Sequence, residues 1–126
     1  LYYHPTTTPG ARLPHAWVYD RNGTKYSTLD LCGKGQFTLI TGIGGEAWVK
    51  AAEAAAKALN LPVRAITIGP RADYEDHVGD WHKVRDIKDG GCLLVRPDQH
   101  VAWRSQTASA TATADLTRTL RAILGH

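Results

Sequence analysis

The 126-residue chain is 43% apolar and 21% charged, a balance that suits one globular domain and leaves no room for two. No apolar run approaches the length of a membrane span. The formal net charge of +3 comes from scattered basic residues, which argues against a nucleic-acid patch.

Residues 1–14 hold Pro5, Pro9 and Pro14 with a Pro9-Gly10 step, so they are expected to form an extended arm. The arm's Leu1, Tyr2, Tyr3 and Leu13 are too apolar for a free linker and imply that it lies against this domain or a missing one. Residues 16–19 read as a short strand closed by the Asp20-Arg21-Asn22-Gly23 turn, while 27–31 stay ambiguous. Residues 37–43 are β-branched and aromatic and read as a strand ending in Gly44-Gly45.

The spacing of Trp48, Ala51, Ala52, Ala55 and Leu59 predicts a helix over 46–60, with Lys50, Glu53 and Lys57 on its polar side and Leu61-Pro62 as its stop. Residues 63–69 form a second β-branched strand reached in two residues, so strand, helix and strand make a parallel unit. A polar, aromatic stretch follows over 70–89, with a short helix predicted at 79–87. Strands at 92–95 and 101–104 flank Arg96-Pro97-Asp98-Gln99-His100 and pair as an antiparallel hairpin. Residues 105–113 are rich in small residues and read as a loop. Asp115 starts or caps the last helix, which is lined by Leu116, Leu120, Ile123 and Leu124 and ended by Gly125.

The order is β-α-β-α-β-β-α, preceded by one strand and the arm. It predicts an α/β fold of the thioredoxin-like type, a central mixed sheet with helices on both faces. A working thioredoxin places Cys-x-x-Cys after the first central strand, at a helix start that lowers a thiol's pKa. Here that place reads Gly44-Gly45-Glu46-Ala47-Trp48, so the redox cysteines are absent. Cys32 and Cys92 lie elsewhere. They read as reduced, part-buried thiols of a cytoplasmic protein, with a single disulfide between them as the alternative.

Other constellations carry bland and functional interpretations side by side. Gly42-Ile43-Gly44-Gly45 could cradle an anion at a helix start, yet it fits no nucleotide fingerprint and is read as a tight turn. Asp73, Asp76, His77, Asp80 and His82 are the densest set of metal-ligand types, but their spacing matches no ligand motif and they are read as a solvated surface. His15 and His100, each with a tryptophan nearby (Trp17, Trp103), lack an evident serine or cysteine partner and are read as structural. The expectation is therefore no catalytic, cofactor-binding or metal-binding residue in this chain.

Several stretches together carry a resemblance. They are Tyr2-Tyr3-His4-Pro5-Thr6-Thr7, Pro9-Gly10-Ala11-Arg12-Leu13-Pro14-His15-Ala16-Trp17 and Ser27-Thr28-Leu29-Asp30-Leu31. Phe37 to Gly45 and Gly91 to Arg104 continue the match in order. This is similar to the C-terminal region of class A flavin monooxygenases, nearest their phenol and chlorophenol hydroxylases, with polyketide hydroxylases next. The resemblance implies a parent that binds FAD, takes hydride from NADPH and hydroxylates a phenol ortho to its hydroxyl. It implies that residues 1–14 are an arm from missing flavin and substrate domains and 15–126 a non-catalytic thioredoxin-like domain serving stability or subunit contacts. The chain, which holds no Met, is read as a fragment of that parent, expected to bind no cofactor itself. Its partners would be the flavin and substrate domains of the same chain or a homo-oligomer, with no nucleic acid and no membrane. An autonomous binding module without redox activity is the alternative. One departure is Gln99, where that family commonly carries glycine, which leaves the hairpin's turn type open.

Overall fold

The computed structural model describes residues 7, 9–33, 35–77, 79–85, 87 and 90–125. The arm's Leu1, Tyr2 and Tyr3 lie outside the described residues. The elements are β1 (Trp17–Tyr19), β2 (Lys25–Ser27), α1 (Thr28–Leu31), β3 (Phe37–Thr41), α2 (Glu46–Leu59) and β4 (Val63–Thr67). They continue with α3 (Asp80–Val84), β5 (Cys92–Val95), β6 (Val101–Ser105) and α4 (Ala112–Leu124).

A mixed sheet of order β4-β3-β5-β6 forms the centre, with β3 parallel to β4 and antiparallel to β5. The predicted parallel unit and hairpin are both present. Every residue of β3 and β5 is buried, as expected of central strands covered on both faces. Period-two alternation sends Phe37, Leu39, Cys92 and Leu94 to one face, where Trp48, Ala51, Ala52 and Ala55 of α2 meet Leu116 and Leu120 of α4. Ile40, Leu93 and Val95 point to the other face, covered by Val18, Leu31 and Trp81 from β1, α1 and α3. The helices do lie on both faces, but those on the second face are single turns helped by the β1–β2 hairpin.

Local chemistry explains the differences from expectation. The ambiguous 27–31 stretch folds as α1 because Ser27 and Asp30 form a reciprocal capping box: the Ser27 hydroxyl accepts the Leu29 N–H, and the Asp30 carboxylate accepts the Ser27 N–H at 3.1 Å. Helix α2 closes at Asn60, left-handed at φ 50°, with the Leu61 N–H on the Ala56 carbonyl at 3.0 Å. Helix α3 is shorter than predicted and ends at Val84. The 105–113 loop is shorter too, since β6 takes Ser105 and α4 begins at Ala112. Asp115 is therefore not the cap of α4, a place held by Thr111. Its carboxylate sits in the first turn, accepting the Ser109 and Thr111 hydroxyls.

Residues 10–13 run beside β6, with the Leu13 N–H on the Gln99 carbonyl at 2.8 Å. Leu13 is only 2% exposed, packed in this domain's own core, so at Leu13 the arm lies against this domain, the first of the two alternatives its apolar residues left open.

Candidate functional site

The place where thioredoxin-like folds keep a thiol pair is the turn from β3 into α2. Gly44 holds φ +84°, and a Cβ on Gly45 would stand 1.9 Å from the Thr41 hydroxyl, so the backbone passes where a side chain cannot. Thr41 donates its Oγ1–H to the Gly91 carbonyl at 2.6 Å, and Trp48 donates Nε1–H to the Gly90 carbonyl at 3.0 Å. A Cβ on Gly91 would in turn meet the Ser105 carbonyl at 2.4 Å. The Gly90-Gly91 segment is thus clamped against the glycine turn by two buried side chains. Sequence reading missed that clamp; the paired glycines just before Cys92 were its only signal. The arrangement offers an anion no open cradle, and Glu46 places a carboxylate in the helix's first turn.

The two cysteines are far from reactive. Both are buried and unpaired with each other, Cys32 on the second face and Cys92 beneath α2 and α4. Burial pushes each thiol up to about 12, against weaker opposing pulls from Thr38 and Arg64 on Cys32 and from the Ser105 backbone on Cys92. The disulfide alternative is closed, and neither thiol supplies a thiolate at neutral pH.

Asp73, Asp76 and His77 of the Asp/His stretch have their side chains engaged in local structure. The Asp73 carboxylate accepts the Thr67 N–H at 3.2 Å while the Thr67 hydroxyl accepts the Asp73 N–H at 3.0 Å. Asp76 accepts the N–H groups of Trp81 and His82 at 3.2 and 2.9 Å, holding the first turn of α3. His77 stacks on Tyr19 with centroids 4.3 Å apart and hydrogen-bonds Glu75 at 3.0 Å. That bond, with the Arg71 N–H second, holds Glu75 below the usual carboxylate range. His82 is exposed, and the Asp80 side chain lies outside the described residues. Among the described residues no three His, Cys, Asp or Glu side chains converge on a metal position.

Of the two singled-out histidines, His100 contacts Asp98 in its own turn, with Nδ1 3.2 Å from the carbonyl. His15 differs from expectation. Its Nδ1 lies 2.7 Å from the Ser27 hydroxyl, a serine partner that sequence reading did not find because twelve residues and a hairpin separate the two. That hydroxyl also caps α1, and the His15 ring sits edge-on to Trp17 at 4.5 Å. No carboxylate orients the ring among the described residues, so the pair lacks the third member of a nucleophile triad.

Beside the glycine turn, at the carboxyl ends of β3 and β4, lies a cleft of about 430 Å³ floored by Ile43, Ile68 and Trp81 and rimmed by Asp76, His77 and His82. Ile43 was expected at the end of a strand; it follows β3 instead and is 54% exposed. The cleft's apolar floor can take a hydrophobic side chain. Among the described residues no helix is long and apolar enough to cross a membrane.

Comparison with known proteins gives consistent matches. The family model for the aromatic-ring hydroxylase C-terminal domain matches residues 6–126. The chain is 51% identical to a 2,4-dichlorophenol 6-monooxygenase of Cupriavidus pinatubonensis (strain JMP 134 / LMG 1197), over 100% of this chain and 21% of that protein. It is 43% identical to a phenol 2-monooxygenase of Pseudomonas sp. (strain EST1001), over 87% and 18%. Among solved structures, the flavin-dependent monooxygenase PieE in complex with FAD and substrate superposes with a TM-score of 0.91 at 43% identity, over 99% of this chain and 21% of that one. An aklavinone-11 hydroxylase with FAD and aklavinone gives 0.83 at 40% identity, over 91% and 21%. The chain spans about a fifth of the length of these relatives.

Proposed function

This chain belongs to the family of aromatic-ring hydroxylase C-terminal domains, and from that premise we propose that it is the non-catalytic C-terminal domain of a flavin-dependent phenol hydroxylase. The match over residues 6–126, with curated relatives named for phenol and chlorophenol substrates, carries this reading. The parent would hold FAD, draw hydride from NADPH, and act in the cytoplasm on phenols of the chlorophenol class. Residues 1–14 would join it to the flavin and substrate domains, and self-association of the parent is part of the same proposal.

The residues of this chain do not fit a flavin site. The strand–glycine–helix turn after β3 is closed by Thr41 and the Gly90-Gly91 segment, and it lacks the spacing of a dinucleotide loop. No step of the hydroxylation is therefore assigned here. What the domain supplies is a packed body: a sheet whose two central strands are fully buried, two helices packed on one face, and a glycine clamp where a thioredoxin keeps its thiols.

The test has two parts. The purified chain should be colourless and retain no flavin, and the full parent should carry FAD and consume NADPH when given a phenol. A yellow, flavin-retaining chain overturns the non-catalytic assignment. A parent that carries no flavin overturns the hydroxylase assignment.

A further inference from the structure

The sheet's two edges are finished differently. Beside β6, the Gly10 N–H donates to the Val101 carbonyl at 2.7 Å and the Val101 N–H to the Ala11 carbonyl at 2.8 Å. At the far end of β4, the Tyr74 N–H donates to the Thr67 carbonyl at 3.0 Å, and the Asp73 carboxylate accepts the Thr67 N–H. Thr67 therefore turns its backbone outward, whereas Ile68 turns inward, its N–H on the Thr41 carbonyl at 2.9 Å. Alternation along the strand then directs the N–H and C=O groups of Val63 and Ala65 away from β3. Among the described residues no segment of this chain pairs with them. A bare stretch of this kind is a template for an added strand.

Arg64 stands between those two residues, and its half-buried guanidinium has only neutral acceptors. It donates to the Leu31 carbonyl at 3.3 Å and the Tyr74 hydroxyl at 3.2 Å, and no carboxylate lies within ion-pair distance among the described residues. Hollows open on both sides of the edge. One, beside the bare stretch, is lined by Arg64, Ala65, Ile66 and Tyr74 with Asp20 and Asp73 at its margin; the other lies by Thr67, between Lys50 and the carboxylates of Glu46 and Glu53. A second copy of this chain is a poor occupant. The antiparallel register that uses both bare residues pairs Val63 with the copy's Ala65 and sets Arg64 directly against Arg64 at a non-hydrogen-bonded pair, where side chains stand closest.

We propose that the β4 edge over residues 63–65 receives an extended segment, carrying a carboxylate opposite Arg64, from the flavin- and substrate-binding part of the same parent polypeptide. This rests on the reading of the chain as one domain of a larger hydroxylase. Two outward residues make few hydrogen bonds, too few to hold a free partner against the entropy of association. A segment tethered in the same polypeptide is presented at high effective concentration and needs no more. The relatives supply the tether, since about four-fifths of their length lies outside the matched region.

Amide hydrogen exchange on the 126-residue chain and on the full parent tests this. In the parent the Ala65 amide should exchange at least about tenfold more slowly than in the chain alone, while Leu94, central in the sheet, is slow in both. Ala65→Pro removes no bond inside the domain and should leave the chain's own melting unchanged, yet make the domain separable from the parent by limited proteolysis. Arg64→Glu in the parent should return Ala65 toward fast exchange. Equal Ala65 rates in chain and parent overturn the proposal, as does a chain that dimerises alone with Ala65 slowed. A flavin-loaded parent with fast Ala65 exchange refutes only the docking; a flavin-free parent with slow Ala65 refutes only the hydroxylase reading.

Discussion

The side-chain amide of Gln99 donates to the Leu29 carbonyl at 2.6 Å across seventy residues of sequence, while its own backbone sits in the left-handed region at φ 68°. The turn thus keeps a glycine-type conformation without glycine, and the side chain ties the β5–β6 hairpin to the end of α1. Left-handed backbone costs a non-glycine residue about 1–2 kcal/mol, and a hydrogen bond returns about 0.5–1.5 kcal/mol. Gln99→Ala keeps the strain and loses the bond, so it should destabilise by about 1 kcal/mol. Gln99→Gly loses both and should lie close to the original stability. Urea unfolding of the three proteins checks the order; Gln99→Gly falling below Gln99→Ala would refute it.

Gly45 is expected to be intolerant of any side chain. Gly45→Ala drives a Cβ into Thr41, whose hydroxyl is held on Gly91, so relief in one place breaks the clamp in another. The expected loss is about 2 kcal/mol or more, in the range of overpacked cores. For the same reason Gly45→Cys should not restore thiol–disulfide exchange. Thermal unfolding and insulin-disulfide reduction measure the two effects, and a stable Gly45→Cys protein with reductase activity would contradict the closed-site account.

Both thiols should resist alkylation in the native state and react quickly once unfolded. Their native values, near 12, lie above the ordinary thiol value, so the protonated form is favoured by folding. The stability linked to them is fully present below about pH 9 and is lost as pH rises toward 12. The slope in that window is about 1.4 kcal/mol per pH unit for each thiol. Replacing both cysteines with alanine should flatten that alkaline slope, which denaturant titrations at pH 8, 9 and 10 (about one unit apart) would reveal.

The opposite sign applies at the start of α4. The Ser109 hydroxyl, opposed by partial desolvation and aided by Thr111 and Arg118, holds Asp115 below the usual carboxylate range. Its contribution is present above the unfolded carboxylate value and disappears as pH falls through the native one. Acidification should therefore fray residues 109–115 first, and Asp115→Asn should remove most of that pH dependence. Amide chemical shifts of α4 across an acid titration would show it.

Much of this molecule is legible in the order of its residues. β3, α2 and β4 are visible because β-branched runs flank an alanine-rich helix with one apolar stripe, and the loss of redox chemistry is visible because no cysteine follows β3. The Ser27-x-x-Asp30 capping box was present in the sequence, but four residues of helix leave no periodicity to confirm it. The His15–Ser27 contact had no local signal at all, and the arm's apolar residues left open whether Leu13 packs on this domain or on another.

The boundary follows from range. Periodicity, turn chemistry and the absence of a residue type are local properties, and the sequence alone determined the α/β order and the empty thiol position. Only the tertiary structure decided what fills that position, how Gln99 satisfies its turn, and which strand edge stays bare. Those outcomes depend on backbones brought together from distant segments, where the space for a single Cβ or the direction of one carbonyl settles the matter.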